Sequence, residues 1–463
     1  MALTALRVGV GIVLLAGSAG AGRRAFGVED GAGRTFLLLD TRVVERAEGA
    51  GLVLGTVEKE ARNPLFVEEK PWEVRFDNLY ANVFLDGGVY RLWYSPFIID
   101  EVTSATPLAA RATERYAPKK REMGICYAES DDGVVWRKPE LGIIEFDGST
   151  ANNLVMREAH GSGVFRDERE PDAARRYKAF MLGGVATSPD GLHWPERRAC
   201  PEIEAAGDTH NNALWVEELG RYVGITRLWG DGQRIVGRTE SRDFRTWTKA
   251  VEAFRGDPEQ QAYAMPVFRY ADVFLGLVMM FDVGEDTVDC ELAWSSDTIH
   301  WERICPGAPL IPRGPDGAFD CGCIYAAAYP VVLDDEIRLY YGGSDGPHGN
   351  WRAGGLGLAR LRPDGFAGMR PVNGGTATIV TKPVVCSGRR LLVSADGEGG
   401  SVRCGVIGED GLGAEACQPI ASDVSRGAVT WRDGGDLSGM IGKRVQLEFE
   451  LRNATLYAFS FAD

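Results

Sequence analysis

The chain has 463 residues, of which 44% are hydrophobic and 25% are charged, and its formal net charge at pH 7 is −15. This is a globular composition that excludes a disordered chain, a coiled coil and a collagen-like repeat, and the acidic balance without a basic run excludes a typical nucleic-acid-binding protein. Glycine supplies 59 residues, about 13% against an average of about 7%, which favours many short strands joined by tight turns.

The first predicted element is an N-terminal signal peptide, residues 1–21. Arg7 precedes a short apolar stretch, 8–16, and Ala-Gly-Ala at 19–21 resembles a cleavage site. The apolar stretch is too short for a comfortable membrane span, so we predict a secreted or periplasmic protein without a membrane span in its mature chain. An uncleaved anchor is the alternative. Residues 22–59 are predicted to form an N-terminal extension that packs on one of the two folded parts of the chain derived below, a propeller (60–370) or a sandwich (371–463).

A repeated turn motif organises the centre of the chain. The pattern Ser-x-Asp-x-x-x-Trp occurs four times, at nearly constant spacing, and a degenerate fifth copy follows with Phe in place of Trp. An Asp in such a turn caps backbone amides, and Asp-Gly pairs are typical of hairpin turns. We therefore interpret the motifs as structural turns. The repeated aspartates are Asp132, Asp190, Asp243 and Asp297, with Asp364 in the degenerate copy.

Each copy follows a hairpin rich in apolar and β-branched residues. The five hairpins start near residues 82, 163, 213, 266 and 330, which defines units of about 55 residues. Repeats of this length with about four strands each are typical of propeller blades. The sequence therefore predicts a five-bladed β-propeller over residues 60–370.

The last part of the chain has a different pattern. Strands are predicted at 376–386, 391–395, 401–407, 428–431, 445–451 and 455–461, separated by Gly/Asp turns. Residues 445–451 alternate between apolar and polar side chains, as in a strand with one wet face. The predicted fold class is thus all-β, a five-bladed β-propeller followed by a C-terminal β-sandwich over residues 371–463.

The nine cysteines are scattered and odd in number, and none has the spacing of metal ligands. Most are expected to be small buried hydrophobic residues. If the chain is exported, one or two disulfides are an alternative. We expect no metal and no other cofactor.

The arrangement resembles the glycoside hydrolase clan of families 32, 43 and 68, and in layout the family-32-like secreted proteins. The resemblance rests on the repeated turns, on the terminal sandwich, and on segments 71–73, 208–211, 320–325 and 340–343 with His348. It implies a saccharide substrate and catalytic carboxylates on the innermost strands of different blades. Glycoside cleavage needs carboxyl groups on both sides of the scissile bond.

The register of the repeats selects the candidate carboxylates. Positions shortly before the first strand of each blade are expected to face the propeller axis, and three of the five hold an aspartate. Asp77, Asp208 and Asp320 are therefore the candidate catalytic residues, together with Glu73 from the segment Pro-Trp-Glu. The alternative is that these carboxylates cap backbone amides.

Polar and aromatic residues near the same positions are candidates for substrate binding. A guanidinium and an indole hold a sugar by hydrogen bonding and stacking, while a salt bridge and a core aromatic are the alternative interpretation. The candidates are Asn82, His160, His210, Asn211, Arg227, Trp229, Tyr325 and His348.

These features lead to three hypotheses. The first is a secreted glycoside hydrolase that acts on an oligo- or polysaccharide at the axial mouth. The second is a non-catalytic glycan-binding propeller. The third is a glycoside phosphorylase, which needs a basic pocket for phosphate near the carboxylates, with Arg227 and Arg166 as candidates.

Overall fold

Strands dominate the structure of this protein. The computed structural model describes residues 34–463, in which 37 strands accompany one short α-helix and seven 3-10 helices. The predicted all-β fold class is confirmed. The predicted signal peptide, 1–21, and residues 22–33 of the predicted extension lie outside the described residues.

The described chain begins with five strands that complete sheets formed farther along. They are β1 (Thr35–Leu37), β2 (Val44–Glu48), β3 (Ala50–Leu54), β4 (Glu58–Lys59) and β5 (Phe66–Val67). The first three pair with strands of the C-terminal sandwich, and β4 and β5 pair with the strand at Gly354–Leu361, where they complete the fifth unit.

Five antiparallel units follow, each with four strand positions. Unit 1 contains β6 (Asn82–Asp86), β7 (Val89–Tyr94), β10 (Ile125–Ser130) and β11 (Leu154–Met156), and it carries an inserted hairpin of β8 (Phe97–Asp100) and β9 (Arg121–Met123) with helix α1 (Glu101–Ala105). Unit 2 contains β12 (Gly163–Arg166), β13 (Tyr177–Met181), β14 (Gly184–Ser188) and β15 (Glu196–Ala199).

Units 3 to 5 repeat this order. Unit 3 contains β16 (Asn212–Val216), β17 (Arg221–Gly230), β18 (Gln233–Ser241) and β19 (Val251–Arg255). In unit 4 the first position is divided between β20 (Gln260–Ala264) and β21 (Val267–Tyr270), before β22 (Val273–Asp282), β23 (Thr287–Ser295) and β24 (Trp301–Ile304). In unit 5 it is divided between β25 (Cys323–Ala326) and β26 (Val331–Val332), before β27 (Ile337–Ser344), β28 (Gly354–Leu361) and the early strands β4 and β5.

The repeated turns act as predicted on their own backbone. In all four full copies the aspartate Oδ1 accepts hydrogen bonds from two backbone amides that follow it; Asp132, for example, accepts from Val134 and Val135 at 2.8 Å each. Such bonds satisfy amides that the turn leaves without strand partners.

The same turns also join each unit to the one before it. At Gly191 the backbone has a φ of +78°, and a Cβ would lie 2.6 Å from the Trp93 ring of unit 1, so glycine is required there. All five copies make such a contact, which closes the units into a ring that we interpret as the predicted propeller. The contacts are Tyr340 Oη to Gly133 O at 2.7 Å, Trp93 Nε1 to Gly191 O at 2.7 Å, Phe180 against Trp247 with ring centroids 4.7 Å apart, Arg238 Nε to Thr298 Oγ1 at 3.0 Å, and Tyr270 Oη to Asp364 Oδ1 at 2.9 Å.

Two further sheets form the sandwich around one apolar core. The C-terminal strands are β29 (Ala367–Pro371), β30 (Thr376–Thr381), β31 (Val384–Val385), β32 (Arg390–Asp396), β33 (Ser401–Val406), β34 (Asp423–Ala428), β35 (Arg444–Val445), β36 (Leu447–Arg452) and β37 (Thr455–Ala462). One sheet has the order β3-β29-β37-β32-β34, with β1 also on β37, and the other has the order β2-β30-β36-β33. Thus residues 367–370 of β29, which fall in the range assigned to the propeller from the sequence, pair in the sandwich. The strand expected at 428–431 lies at Asp423–Ala428.

The cysteines take no part in disulfides. All nine are free thiols, and most of them are buried. No helix within residues 34–463 is long and apolar enough to cross a membrane.

Candidate functional site

All five units contribute side chains to one polar group, either from the start of the first strand or from the connection between the second and third strands. We call this group the axial cluster. Asn78 Nδ2 donates to the hydroxyl groups of Tyr80 and Tyr263 at 2.7 and 2.8 Å, which joins units 1 and 4. The ring of Tyr80 lies 5.9 Å from that of His160 in unit 2. The axial cluster comprises Asp77, Asn78, Tyr80, His160, Asp208, Arg227, Arg234, Tyr263, Tyr325, His348 and Arg352.

Asp77 is held as an anion on one side of the cluster. Arg352 Nη2 donates to its Oδ1 at 2.6 Å, and Arg75 Nε lies 3.5 Å from the same oxygen. Burial by itself would raise the pKa of Asp77, but the charges of these two arginines outweigh burial and hold the pKa well below its ordinary value. Asp77 is therefore ionised throughout the physiological range.

Arg352 links Asp77 to the aromatic side chains. It also donates to the Tyr325 hydroxyl at 2.8 Å, and that hydroxyl lies 2.7 Å from Nδ1 of His348. Burial lowers the pKa of His348 to about 3, and the positive charge of Arg352 acts in the same direction. Because His348 is neutral at pH 7, its Nδ1 is able to accept the hydrogen bond from Tyr325.

Asp208 is the accessible carboxylate of the cluster. Its side chain is 62% exposed, its Oδ1 lies 2.7 Å from His160 Nε2, and its Oδ2 lies 3.8 Å from Arg227 Nη1. The hydrogen bond from His160 lowers the pKa of Asp208 to about 2, whereas the nearby negative charge of Asp77 acts to raise it. The two carboxylates are thus close enough to interact.

The other two predicted carboxylates have structural contacts instead. Asp320 Oδ2 accepts from Lys59 Nζ at 2.6 Å and from the Tyr341 hydroxyl at 2.8 Å. Glu73 has a fully buried side chain that pairs with Lys138 at 2.8 Å and accepts from the Tyr94 hydroxyl at 2.6 Å. Each carboxylate is satisfied by contacts with its own unit and the adjoining segments.

Two predicted binding residues tie neighbouring units together. Asn82 donates to Ser162 O and accepts from Val164 N, both at 2.9 Å. Asn211 donates to Gly161 O at 2.9 Å. Both side chains are buried, and their amides serve as substitutes for strand-to-strand hydrogen bonds between units.

The remaining predicted binding residues differ in their exposure. Arg227 is buried beneath Asp208 with its guanidinium 4.2 Å from the centroid of the Tyr263 ring. Trp229 is 54% exposed and lies beside Arg234. His210 is 1% exposed; its Nδ1 lies 3.3 Å from Ala326 O, and its Nε2 has no hydrogen-bond partner in the described part of the chain.

Burial of His210 predicts a loss of stability in mild acid. Its pKa is lowered to about 4 because burial disfavours the charged imidazolium. Between pH 6.5 and 4 the unfolded chain binds a proton that the native state does not, so the free energy of unfolding falls as the pH falls through this window. We expect a loss of about 2 kcal/mol from His210 at pH 5 relative to pH 7, which urea unfolding at both pH values measures. The variant His210→Gln should reduce that pH dependence by the same amount, and an unchanged dependence would contradict the assignment.

Several residues of the cluster were not among the candidates selected from the sequence. They are Asn78, Tyr80, Arg234, Tyr263 and Arg352. Leu79 and Tyr80 have positive φ angles of 62° and 43°, which non-glycine residues rarely adopt. This unusual backbone turns the segment after Asp77 so that Asn78 and Tyr80 contact Tyr263. No sequence pattern predicts this backbone conformation. Strained backbone of this kind is concentrated at functional sites.

The described residues offer no place for a metal built from acidic, histidine or cysteine side chains. Within residues 34–463, no group of three or more such residues has the geometry to hold an ion. The axial cluster itself contains carboxylates, imidazoles, phenols and guanidinium groups.

Comparisons with known proteins give similarities of fold at low sequence identity. No protein-family model matches the chain, and no curated protein matches it. Among solved structures, it is similar to a β-1,2-mannobiose phosphorylase from Listeria innocua (13% identity, TM-score 0.47, covering 66% of this chain and 97% of the other). It is also similar to an α-L-arabinofuranosidase from Podospora anserina (12%, 0.45, 67% and 98%) and to a glycosyl hydrolase from Bacteroides ovatus (15%, 0.44, 69% and 96%). At these values the similarity concerns the fold alone.

Proposed function

We propose that this protein is a glycoside hydrolase that binds an oligo- or polysaccharide at the axial cluster. The observation that carries the proposal is the pair of ionised carboxylates, an exposed Asp208 and a fixed Asp77, among aromatic and cationic side chains from all five units. Sugars are bound by stacking on aromatic faces and by hydrogen bonds from charged groups.

The two carboxylates are suited to different tasks. Asp77 is immobilised by Arg352 and Arg75, so it is a permanent negative charge that stabilises positive charge at the anomeric carbon. Asp208 is accessible and contacts His160, so it is the group that is able to exchange a proton with water or with the glycosidic oxygen. In hydrolysis, the oxygen of water bonds to the anomeric carbon as the glycosidic C–O bond breaks; the water gives up one proton, and the leaving oxygen takes up one.

Two parts of the proposal, membership of a glycoside hydrolase clan and secretion, are supported by the sequence. The turns and the terminal sandwich support membership of the clan of families 32, 43 and 68, and the apolar stretch 8–16 supports secretion. Direct sequencing of the N-terminus of the protein recovered from the medium or periplasm tests the secretion. A chain that retains its first residues inside the cell would contradict it.

Non-catalytic glycan binding is the second candidate. Glycoside hydrolysis usually employs one carboxyl group with a raised pKa as the general acid. Both Asp77 and Asp208 have lowered pKa values, which favours a site that binds sugar through ionised acceptors.

Product release from defined oligosaccharides separates these functions. The purified chain is incubated with an oligosaccharide panel, with and without inorganic phosphate, and products are identified by mass spectrometry. We expect free reducing sugars without phosphate. Sugar phosphates that form only when phosphate is present would show that the protein is a phosphorylase and not a hydrolase. Binding on a glycan array without any product would show that it is a glycan-binding protein and not an enzyme.

A further inference from the structure

Two arginines of unit 3 lie against one aromatic ring beside Asp208. The guanidinium carbon of Arg227, on β17, is 4.2 Å from the ring centroid of Tyr263, and that of Arg234, on β18, is 5.6 Å away. Burial and the neighbouring charge of Arg227 both lower the pKa of Arg234. The two cations are therefore close enough to repel each other, in surroundings that remove part of their hydration.

Neutral acceptors hold both side chains in place. Arg227 Nη2 donates to Tyr263 O at 2.6 Å, and Arg234 Nη1 donates to Gln261 Oε1 at 2.9 Å. These bonds orient the guanidinium groups but add no negative charge to balance them. Since a backbone carbonyl and an amide carry no net charge, the balance must come from elsewhere.

The available negative charge is small. Asp208 lies 3.8 Å from Arg227, but it already shares its other oxygen with His160 and is 62% exposed to water. Arg234 makes no salt bridge with any residue that the structure describes. Two partly buried cations with one shared, solvated carboxylate form a site of positive charge on a chain whose net charge is −15.

We infer that Arg227 and Arg234 form an oxyanion subsite next to Asp208, which binds a carboxylate or phosphate group. The inference deepens the proposed function and rests on it only for the sugar that occupies the neighbouring space. Planar guanidinium groups bind both oxyanions through paired hydrogen bonds. The oxyanion is either part of an acidic sugar, such as a uronate, or free inorganic phosphate.

Calorimetric titration of the full chain at low ionic strength tests the subsite. The probes are inorganic phosphate, glucuronate and, as the uncharged counterpart, glucose. We expect phosphate or glucuronate to bind and glucose to bind more weakly, and we expect Arg234→Gln to weaken anion binding by about 10- to 100-fold. Arg245→Gln is the matched control, because Arg245 belongs to the same unit, is 45% exposed and pairs with Glu196, so it should leave anion binding unchanged.

Asp208→Asn separates this inference from the proposed function. It removes the negative charge 3.8 Å from Arg227, so anion binding should tighten although glycoside cleavage falls. If the wild type binds anions but cleaves no glycoside, the proposed function is contradicted and the oxyanion subsite is supported. Phosphate binding alone identifies free phosphate as the source, and preference for glucuronate over glucose identifies an acidic sugar. If the wild type binds neither anion, or if Arg234→Gln folds and binds both as tightly, the inference is overturned. Arg234→Lys keeps the charge but loses the paired hydrogen bonds, so it should weaken anion binding less than Arg234→Gln does.

Discussion

Replacing Asp208 by Asn is expected to lower the rate of glycoside cleavage by about 10²- to 10⁴-fold while the protein stays folded. The amide has nearly the shape of the carboxylate but does not accept a proton, so the loss reports proton transfer. Because Asp208 is 62% exposed and lies at the surface of the axial cluster, the substitution leaves the packing of the ring intact. The measurement is kcat/KM on the oligosaccharide that the wild type cleaves fastest, together with thermal unfolding.

Asp231→Asn is the matched control for this experiment. Asp231 lies in the turn between β17 and β18 of the same unit, is 81% exposed and contacts Arg255. The control variant should cleave the oligosaccharide at the wild-type rate. Wild-type activity in Asp208→Asn would remove Asp208 from the mechanism and with it the proposed acid/base role.

Replacing Lys138 by Met should reduce the free energy of unfolding by about 3–5 kcal/mol. Lys138 and Glu73 form a salt bridge whose two side chains are 3% and 0% exposed, and the substitution leaves the Glu73 carboxylate buried without a cation. Denaturant unfolding measures the change. Since Glu73 is assigned a structural role, the fraction that remains folded should keep the wild-type specific activity.

Lys249→Met provides the comparison. Lys249 pairs with Glu204 at the surface, where both side chains are more than half exposed, so this loss should be at most about 1 kcal/mol. Equal effects of the two lysine substitutions would contradict the structural role of the buried pair. A specific loss of activity in folded Lys138→Met protein would return Glu73 to the list of catalytic candidates.

The repeated turns were predictable because their hydrogen bonds are local. An Asp that caps the amides two and three positions later needs nothing outside seven consecutive residues, so the pattern at Asp132 is sufficient to identify it. The contact of Gly191 with Trp93 was not predictable in the same way. It joins residues 98 positions apart, and it depends on how one unit sits against the previous one.

The candidate site was predictable only in part. The register of the repeats singled out Asp77 and Asp208, because equivalent places in a repeat lie at equivalent places in a ring, and in the structure the charge of Asp77 acts on Asp208. The same reasoning also selected Asp320, whose carboxylate is taken by Lys59 from a strand that precedes the first unit. The sequence did not predict that Arg352 belongs to the site, because Arg352 and Asp77 are 275 positions apart in the chain.

The sequence by itself determined the all-β class, the repeated units and the capped turns, since these follow from strand periodicity and short-range hydrogen bonding. Only the tertiary structure decided which charged groups face one another. It placed Arg352 on Asp77, His160 on Asp208 and Lys138 on Glu73. The physical reason is that ionisation depends on burial and on neighbouring charges, and both are properties of the assembled ring.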